Sequence, residues 1–131
     1  MKYFKYKEFD CKCCGKNSGK QNMNPEFLQF LDLLRGKCSF PFRVTSAWRC
    51  KAFHQSLTDR GYHTIKQSAH LKGLAADIAV SDSVKRAIFV GHALELTHEL
   101  DLPFRLGISG KNSFIHIDIS RELRSPRLWI Y

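Results

Sequence analysis

Hydrophobic residues recur along the chain with two spacings, one typical of helices and one typical of strands. Apolar positions three and four residues apart predict a first helix over residues 24–36, a second helix between Arg49 and Gly61, and a long helix over residues 83–100. In the long helix this spacing predicts a group of residues near the buried side: Val84, Ala87, Ile88, Gly91, Leu94 and Leu96.

Segments in which apolar residues alternate with polar ones, or run together between turn residues, predict four strands. They cover residues 41–46, 74–80, 104–109 and 113–119. A loop is predicted at residues 61–73, and the short connection at 109–112 is typical of a hairpin. This order of elements predicts an α+β fold in which a small, mainly antiparallel sheet packs with helices.

The length of 131 residues leaves room for one hydrophobic core of ordinary size, and therefore predicts a single domain over residues 1–131. Residues 1–23 are rich in lysine, glycine and asparagine, and they predict an irregular basic arm that contains three of the cysteines. Residues 24–120 are the predicted catalytic core, and residues 121–131 are predicted to be a tail.

Composition excludes several classes of protein. With 44% hydrophobic and 25% charged residues the chain is typical of a globular protein, and no apolar run approaches the roughly 20 residues that cross a bilayer. The first residues lack the apolar segment of a secretory signal, so we expect synthesis in the cytoplasm without a signal peptide.

The charge is positive and unevenly distributed. The formal net charge is +9, of which residues 1–66 carry +8. Such a basic surface favours polyanionic partners, among them nucleic acid, anionic lipid and the acidic bacterial wall, although it serves equally well as a solubilising face.

The five cysteines are an odd number, so they cannot all pair within one chain. Cys11, Cys13 and Cys14 lie in one short segment, while Cys38 and Cys50 stand apart. Free thiols are the first expectation in a cytoplasmic protein. A structural zinc ion held by Cys11, Cys14 and two other ligands is the alternative.

Two segments carry titratable residues among apolar ones. Because side chains alternate along a strand, His116 and Asp118 share one face, although an exposed polar face of the sheet would also explain them. Asp77 lies in an otherwise apolar strand, where an ionised carboxylate is costly unless it is paired or binds a cation. An arginine or backbone amides would satisfy it as well. His70 lies in the loop just before that strand.

Two imidazoles and one carboxylate, from His70, Asp77 and His116, are a common ligand set for a catalytic zinc site. Such a site keeps one position for water, and the metal lowers the pKa of that water. Asp118 lies close enough in the strand to be considered as the general base.

The motif S-x-H-x-x-G-x-A-x-D over residues 68–77, followed about forty residues later by F-I-H-I-D over residues 114–118, resembles the zinc D-alanyl-D-alanine carboxypeptidase family. That family shares a clan with the L-alanyl-D-glutamate endopeptidases of phage lysins and, more distantly, with the hedgehog signalling domain. Residues 45–49, Thr-Ser-Ala-Trp-Arg, also match an upstream strand motif of the family. The resemblance covers residues 24–120 and implies a hedgehog/DD-peptidase-like fold.

The resemblance implies one catalytic zinc ion held by His70, Asp77 and His116. It also implies that Arg49 contacts the substrate, where a permanently charged guanidinium can stabilise an oxyanion or a peptide carboxylate. An ion pair with an acid elsewhere is the alternative for this arginine. Ser68 is expected either to help bind the substrate or to cap the loop.

The chain departs from the family at the general base. Several clan members have an acid three residues before the last zinc-binding histidine, where this chain has Ser113, and others have a histidine two residues before it, where this chain has Phe114. The base is therefore assigned to Asp118, with a role in orienting His116 as the alternative. The remaining histidines are expected to be surface or packing residues: His54, His63, His92 and His98.

These observations predict a zinc metallopeptidase, of the D,D-carboxypeptidase or the L-alanyl-D-glutamate endopeptidase type, that hydrolyses peptide bonds in peptidoglycan stem peptides. We expect a monomer that acts on the bacterial wall after lysis or as part of a phage particle, without nucleic acid as a partner. The alternative is a non-catalytic basic module that binds nucleic acid or the wall. That alternative leaves Asp77, His116 and Asp118 without a purpose.

Overall fold

The computed structural model describes residues 1–62 and 64–131 of the chain. The strands are β1 (Val44–Ser46), β2 (Ala75–Ala79), β3 (Arg105–Ser109), β4 (Phe114–Asp118) and β5 (Arg127–Ile130). They form one sheet in the order β1-β2-β4-β3-β5, in which all neighbours are antiparallel except β3 and β5. The predicted α+β fold with a mainly antiparallel sheet is confirmed.

The helices begin and end close to where the sequence places them. Asn24 caps the first long helix, because its Oδ1 accepts a hydrogen bond from the backbone N–H of Phe27 at 3.1 Å. The helices are a 3₁₀ helix at Tyr6–Phe9, α1 (Ser18–Asn22), α2 (Pro25–Cys38), α3 (Lys51–Asp59), a 3₁₀ helix at Ala69–Lys72 and α4 (Ser83–Glu99).

One face of the sheet forms the hydrophobic core with α2 and α4. The isoleucines Ile78, Ile115 and Ile117 are buried there together with Phe27 of α2 and Phe89 of α4. Because successive side chains of a strand point to opposite faces, the residues between these isoleucines lie on the other face of the sheet. Among the described residues, no helix combines the length and the apolar character needed to cross a lipid bilayer.

The prediction of an irregular arm over residues 1–23 is wrong. This segment contains a 3₁₀ helix and α1, and both Phe4 and Phe9 are buried in the core. The Phe4 ring centroid lies 5.4 Å from that of Phe9 and 6.3 Å from that of Phe42. Helices of four and five residues are too short to show a helical period, so the sequence pattern gave no sign of them.

The prediction of a tail over residues 121–131 also needs correction. Residues 127–130 form β5, which pairs in parallel with β3 and extends the sheet. The segment is short and lies at the edge of the sheet, and its partner strand is about twenty residues earlier in the chain. Such a parallel pairing depends on tertiary contacts and has no local signal comparable to a hairpin turn.

Helix α4 buries a different face from the one predicted. Val84 and Leu94 are 65% and 53% exposed, and Ile88 is also exposed, whereas Leu96 is buried as predicted. Apolar residues occur around most of this helix, so the period alone does not select the face that contacts the sheet. Packing against the core selects the stripe Phe89, Ala93, Leu96 and Thr97.

Candidate active site

A single row of residues across the sheet builds the polar face. Ser46 pairs with Asp77, Asp77 with His116, His116 with Gly107, and Gly107 with Trp129. Paired residues of neighbouring strands point to the same side of a sheet. The strand register therefore brings Asp77 and His116 to adjacent positions, on the side opposite the isoleucine core.

The glycine in this row has a structural reason. A Cβ atom added at Gly107 would lie 2.4 Å from the indole of Trp129, closer than side-chain atoms approach one another. The indole therefore lies over Gly107, and its ring centroid reaches to 5.5 Å from that of His116. A side chain at position 107 would displace the wall of the site.

A tight loop holds His70 above the sheet. Ser68 Oγ accepts a hydrogen bond from the His70 backbone N–H at 3.2 Å and so caps the 3₁₀ helix that carries this histidine. Gly73 ends that helix with a φ of +69°, and a Cβ atom there would lie 2.0 Å from the carbonyl oxygen of Asn22. The Ser and Gly of the sequence motif therefore shape the loop.

Three ligand atoms converge where the loop meets the sheet. The Nε2 atom of His70 lies 3.2 Å from Asp77 Oδ1 and 3.2 Å from His116 Nδ1. His116 Nδ1 lies 3.0 Å from the same Asp77 oxygen, and all three side chains are buried. The structure therefore brings together the three residues that the sequence predicted as metal ligands.

Hydrogen bonds on the outer side of each imidazole determine which nitrogen faces the centre. His70 Nδ1 lies 2.6 Å from the carbonyl oxygen of Ala47, which can only accept, so Nδ1 carries the proton. His116 Nε2 lies 2.7 Å from Asp118 Oδ2 and donates in the same way. When both rings are neutral, His70 Nε2 and His116 Nδ1 therefore face each other with their lone pairs. A cation bound between them stabilises this arrangement.

The dimensions of this triangle fit zinc. Ligand atoms about 2.0–2.1 Å from a tetrahedral zinc ion lie about 3.3 Å from one another, close to the 3.0–3.2 Å separations found here. Two imidazole nitrogens and one carboxylate oxygen are also a donor set that zinc accepts readily. His70, Asp77 and His116 are therefore suited to hold it.

The charges of the three residues depend on their burial and on each other. Burial lowers the pKa of His70, which favours the neutral imidazole that a metal requires. Burial alone would raise the pKa of Asp77, but the His70 and His116 rings hold it well below its ordinary value. Burial opposes protonation of His116, yet hydrogen bonds to Asp118 and Asp77 raise its pKa to about 9.

The carboxylate of Asp118 is committed on both oxygens. Its Oδ2 accepts from His116 Nε2, and its Oδ1 accepts from Arg105 Nε at 2.9 Å and from the Ser120 N–H at 3.0 Å. Asp118 is therefore on the opposite side of the His116 ring from Asp77 and His70. Of the two roles predicted for Asp118, these contacts favour orientation of His116 over proton transfer in the cleft.

Arg49 reaches the centre from the segment before α3. Its Nε donates to Ser46 Oγ at 3.0 Å, and one terminal nitrogen donates to Asp77 Oδ2 at 3.2 Å. Arg49 therefore forms an ion pair with Asp77, which is also one of the predicted metal ligands. Burial lowers the pKa of Arg49 while Asp77 opposes that shift, and the guanidinium borders the same cleft as the three ligands.

The three predicted ligands line a cleft of about 680 Å³. Ligand pockets commonly have volumes of about 300–1,000 Å³, so this cleft can accept a short peptide. Among the described residues that line it, the carboxylates are Asp77 and Asp118, both already paired. The cationic residues that line it are Lys12, Arg49, Arg60, Arg105, Lys111 and Arg127.

Sequence reasoning missed Arg105, Trp129 and Tyr131, which also border the cleft. Arg105 pairs in register with Asp118, so a correct alignment of β3 and β4 would have indicated it. Trp129 and Tyr131 belong to the segment predicted as a tail, although its short run of bulky apolar residues, Leu-Trp-Ile-Tyr over 128–131, is typical of a strand. Burial and the nearby Asp77 raise the pKa of Tyr131 to about 12, so its phenol stays neutral.

Within residues 1–62 and 64–131, the other histidines take no part in the ligand triangle. His54 is buried, with its Nε2 2.8 Å from the carbonyl oxygen of Ile65, as expected of a packing residue. His92 is half-buried and His98 is exposed, as expected of packing and surface residues. His63, which carries the same prediction, lies outside the described residues.

Comparisons with known proteins identify a family and a solved structure with a similar fold. A family model described as Peptidase M15 matches residues 2–118. A crystal structure of the L-Ala D-Glu endopeptidase ChiX from Serratia marcescens aligns with a TM-score of 0.62 at 16% sequence identity, over 78% of this chain and 84% of that one. At this identity the structural match shows a shared fold. None of the curated proteins compared with the chain matches it.

Proposed function

Because the chain belongs to the peptidase M15 family, we propose that it is a zinc-dependent peptidase that hydrolyses peptide bonds in the stem peptides of peptidoglycan. Membership confirms the resemblance predicted from the sequence motifs. The observation that carries the proposal is the triangle of His70, Asp77 and His116, which line the cleft. A fold alone does not determine function, whereas these three residues support metal-assisted hydrolysis of a peptide bond.

We propose that these three residues hold one zinc ion. When bound there, zinc supplies a Lewis acid for the scissile carbonyl and an activated water. Ala47 and Asp118 contribute by fixing the proton on the outer nitrogen of each imidazole, so that the inner nitrogens stay available. Arg105 in turn holds Asp118 in place from the neighbouring strand.

We propose that Arg49 stabilises negative charge on the substrate. Its guanidinium already contacts Asp77 with one terminal nitrogen, and its remaining donors border the cleft beside the ligand triangle. A fixed donor that meets an oxyanion in a partly buried site lowers the barrier without reorganisation. The neutral phenol of Tyr131 borders the same region and is a second donor for that oxygen. For Ser68, the hydrogen bond to the His70 N–H supports a role in shaping the loop.

The charge of the cleft supports an acidic substrate. Six cationic side chains line it, and its two carboxylates are already paired. Stem peptides carry free carboxylates, and the related fold from Serratia is named for a bond between L-Ala and D-Glu. Both cleavage of such an internal bond and removal of a terminal residue fit the proposal. Action on the wall after lysis or from a phage particle stays a prediction.

Digestion of purified peptidoglycan tests the proposal. We expect soluble products whose masses correspond to fragments of stem peptides, each cleavage having broken one peptide bond and added one water, and no new reducing ends of sugars. The His116→Ala variant is the matched control and is expected to release nothing. Binding of the wild-type protein to the wall without any cleaved peptide would instead support a non-catalytic basic module.

A further inference from the structure

Four of the five cysteines come together at the start of α3, next in the chain to Arg49. Cys11, Cys13 and Cys14 belong to the amino-terminal segment, and Cys50 is the residue that caps α3. Their four sulfur atoms all lie within 4.8 Å of one another. The fifth, Cys38, lies in α2 and takes no part in this group. Cys11 and Cys50 are nearly forty positions apart in the chain, so proximity in sequence does not explain the cluster.

The separations match a metal with four thiolate ligands. Sulfur atoms bound at about 2.3 Å to a tetrahedral zinc ion lie about 3.8 Å from one another. Here the sulfur of Cys13 lies 3.3 Å from that of Cys50 and 3.9 Å from that of Cys14. All four thiols are free, and a disulfide would connect only two of them.

We propose that Cys11, Cys13, Cys14 and Cys50 bind a structural zinc ion, distinct from the metal held by the histidines. Four thiolates complete the tetrahedral shell of zinc and leave no position for water or substrate, as in structural sites. Soft sulfur ligands also select zinc over magnesium or calcium. This proposal does not depend on the peptidase activity.

Backbone groups already hold the sulfurs in place. The N–H of Phe53 donates to Cys50 Sγ at 3.3 Å, and the N–H of Cys50 donates to Cys11 Sγ at 3.4 Å. Such donors stabilise thiolate charge and orient the ligands of a metal. The turn after Cys11 is held as well, because its N–H donates to Ser18 Oγ at 2.8 Å and the Gly15 N–H donates to its carbonyl oxygen at 3.1 Å.

The location of the cluster gives the metal a structural consequence. Cys50 directly follows Arg49, and the Arg49 backbone N–H donates to the carbonyl oxygen of His70 at 3.2 Å. A zinc ion bound to Cys50 would therefore fix the amino-terminal segment to the residues just before α3, which position both Arg49 and His70. Loss of this ion should loosen the wall of the cleft without removing any ligand of the histidine site.

Metal analysis of four proteins tests the assignment. We expect two zinc ions per chain in the wild type, one in Cys14→Ser, one in His70→Ala, and two in Cys38→Ser. The last variant is the matched control, because Cys38 is buried outside the cluster, where burial raises the pKa of its thiol to about 11. Cys14→Ser with two zinc ions, or a wild type with one that His70→Ala loses, would overturn the proposal.

Cobalt substitution tests the same assignment in the wild-type protein, where misfolding of a variant has no influence. Cobalt bound to thiolates gives intense charge-transfer absorption in the near ultraviolet, whereas imidazole and carboxylate ligands do not. We expect this band in the wild type and in His70→Ala, and its loss in Cys14→Ser. A wild type without the band, or one that contains a disulfide between Cys13 and Cys50 and no metal there, would overturn the proposal.

Discussion

The protein contains two clusters of potential metal ligands that differ in construction. Asp77 and His116 on the sheet and His70 in the loop above it are all buried, offer three ligand atoms, and line a cleft. The cysteine cluster lies at the surface, where Cys13 and Cys14 are exposed, and supplies four ligands from a loop and a helix start. With a metal bound, the first cluster would leave a coordination position for chemistry, and the second would leave none. The number of ligands, more than their burial, distinguishes a catalytic centre from a structural one.

Removal of a histidine ligand should have the largest effect on activity. His70→Ala leaves two ligands in place of three, so we expect loss of the zinc at that site and a fall of the peptidase rate to the background of metal-free protein. Cys14→Ser should keep measurable activity, because the histidine site is intact. Rates of release of stem peptides compare the two variants. Full activity in His70→Ala would contradict the assignment of the catalytic centre.

Arg49→Lys should have the next largest effect. Lysine keeps the charge but cannot contact Ser46, Asp77 and the substrate with one planar group. We expect kcat to fall by roughly 10²–10³-fold with zinc content unchanged, the usual effect of removing one such donor. Arg43→Lys, at an exposed position outside the cleft, is the control and should match the wild type. A wild-type rate for Arg49→Lys would assign the arginine to structure alone.

Asp118→Asn separates the two roles considered for this residue. If Asp118 orients His116, its replacement weakens zinc binding by about 10–100-fold, as is usual for groups that position a ligand. If it transfers protons, zinc binding is unchanged and turnover falls by roughly 10²–10⁴-fold. The contacts with Arg105 and His116 lead us to expect the first result. A competition assay with a chelator measures the zinc affinity. The turnover rate at saturating zinc shows whether proton transfer is impaired.

The pH dependence of zinc binding should be the smallest of these effects. In the metal-free protein the pKa of His116 is about 9, so zinc must displace one proton below that pH. We expect the zinc affinity of the histidine site, measured in Cys14→Ser, to rise about tenfold per pH unit between pH 6 and 8 and to level off above 9. An affinity independent of pH in that range would contradict the hydrogen bonds assigned to His116.

The ligand triangle could be predicted from sequence because its signals are local. His116 lies between isoleucines on a strand, and Asp77 lies in an apolar strand just after the loop that contains His70. Strand alternation and the ordered motifs are enough to single out these residues, whereas the pairing of β2 with β4 brings Asp77 beside His116. The start of the helix at residue 24 and the end of the loop at residue 73 were equally predictable, since each depends on residues within a few positions.

The remaining features depend on contacts between distant parts of the chain. The role of Asp118 is decided by Arg105, which lies on a neighbouring strand and occupies the second carboxylate oxygen. Trp129 reaches His116 only because β5 adds to the sheet beside Gly107. Cys50 joins the other cysteines through folding of the amino-terminal segment. No period or motif specifies these pairings, so sequence pattern alone could not have given them.

Restoration of activity by zinc is the most direct test that His70, Asp77 and His116 form a catalytic zinc site. Wild-type protein is stripped of metal, incubated with a purified stem peptide, and assayed by product mass as zinc is added back, with His116→Ala treated in parallel. We expect no cleavage without metal, recovery of cleavage on addition of zinc, and no cleavage by His116→Ala at any zinc concentration. Cleavage by the metal-free wild type at the rate of the zinc-loaded protein would contradict the assignment of this site.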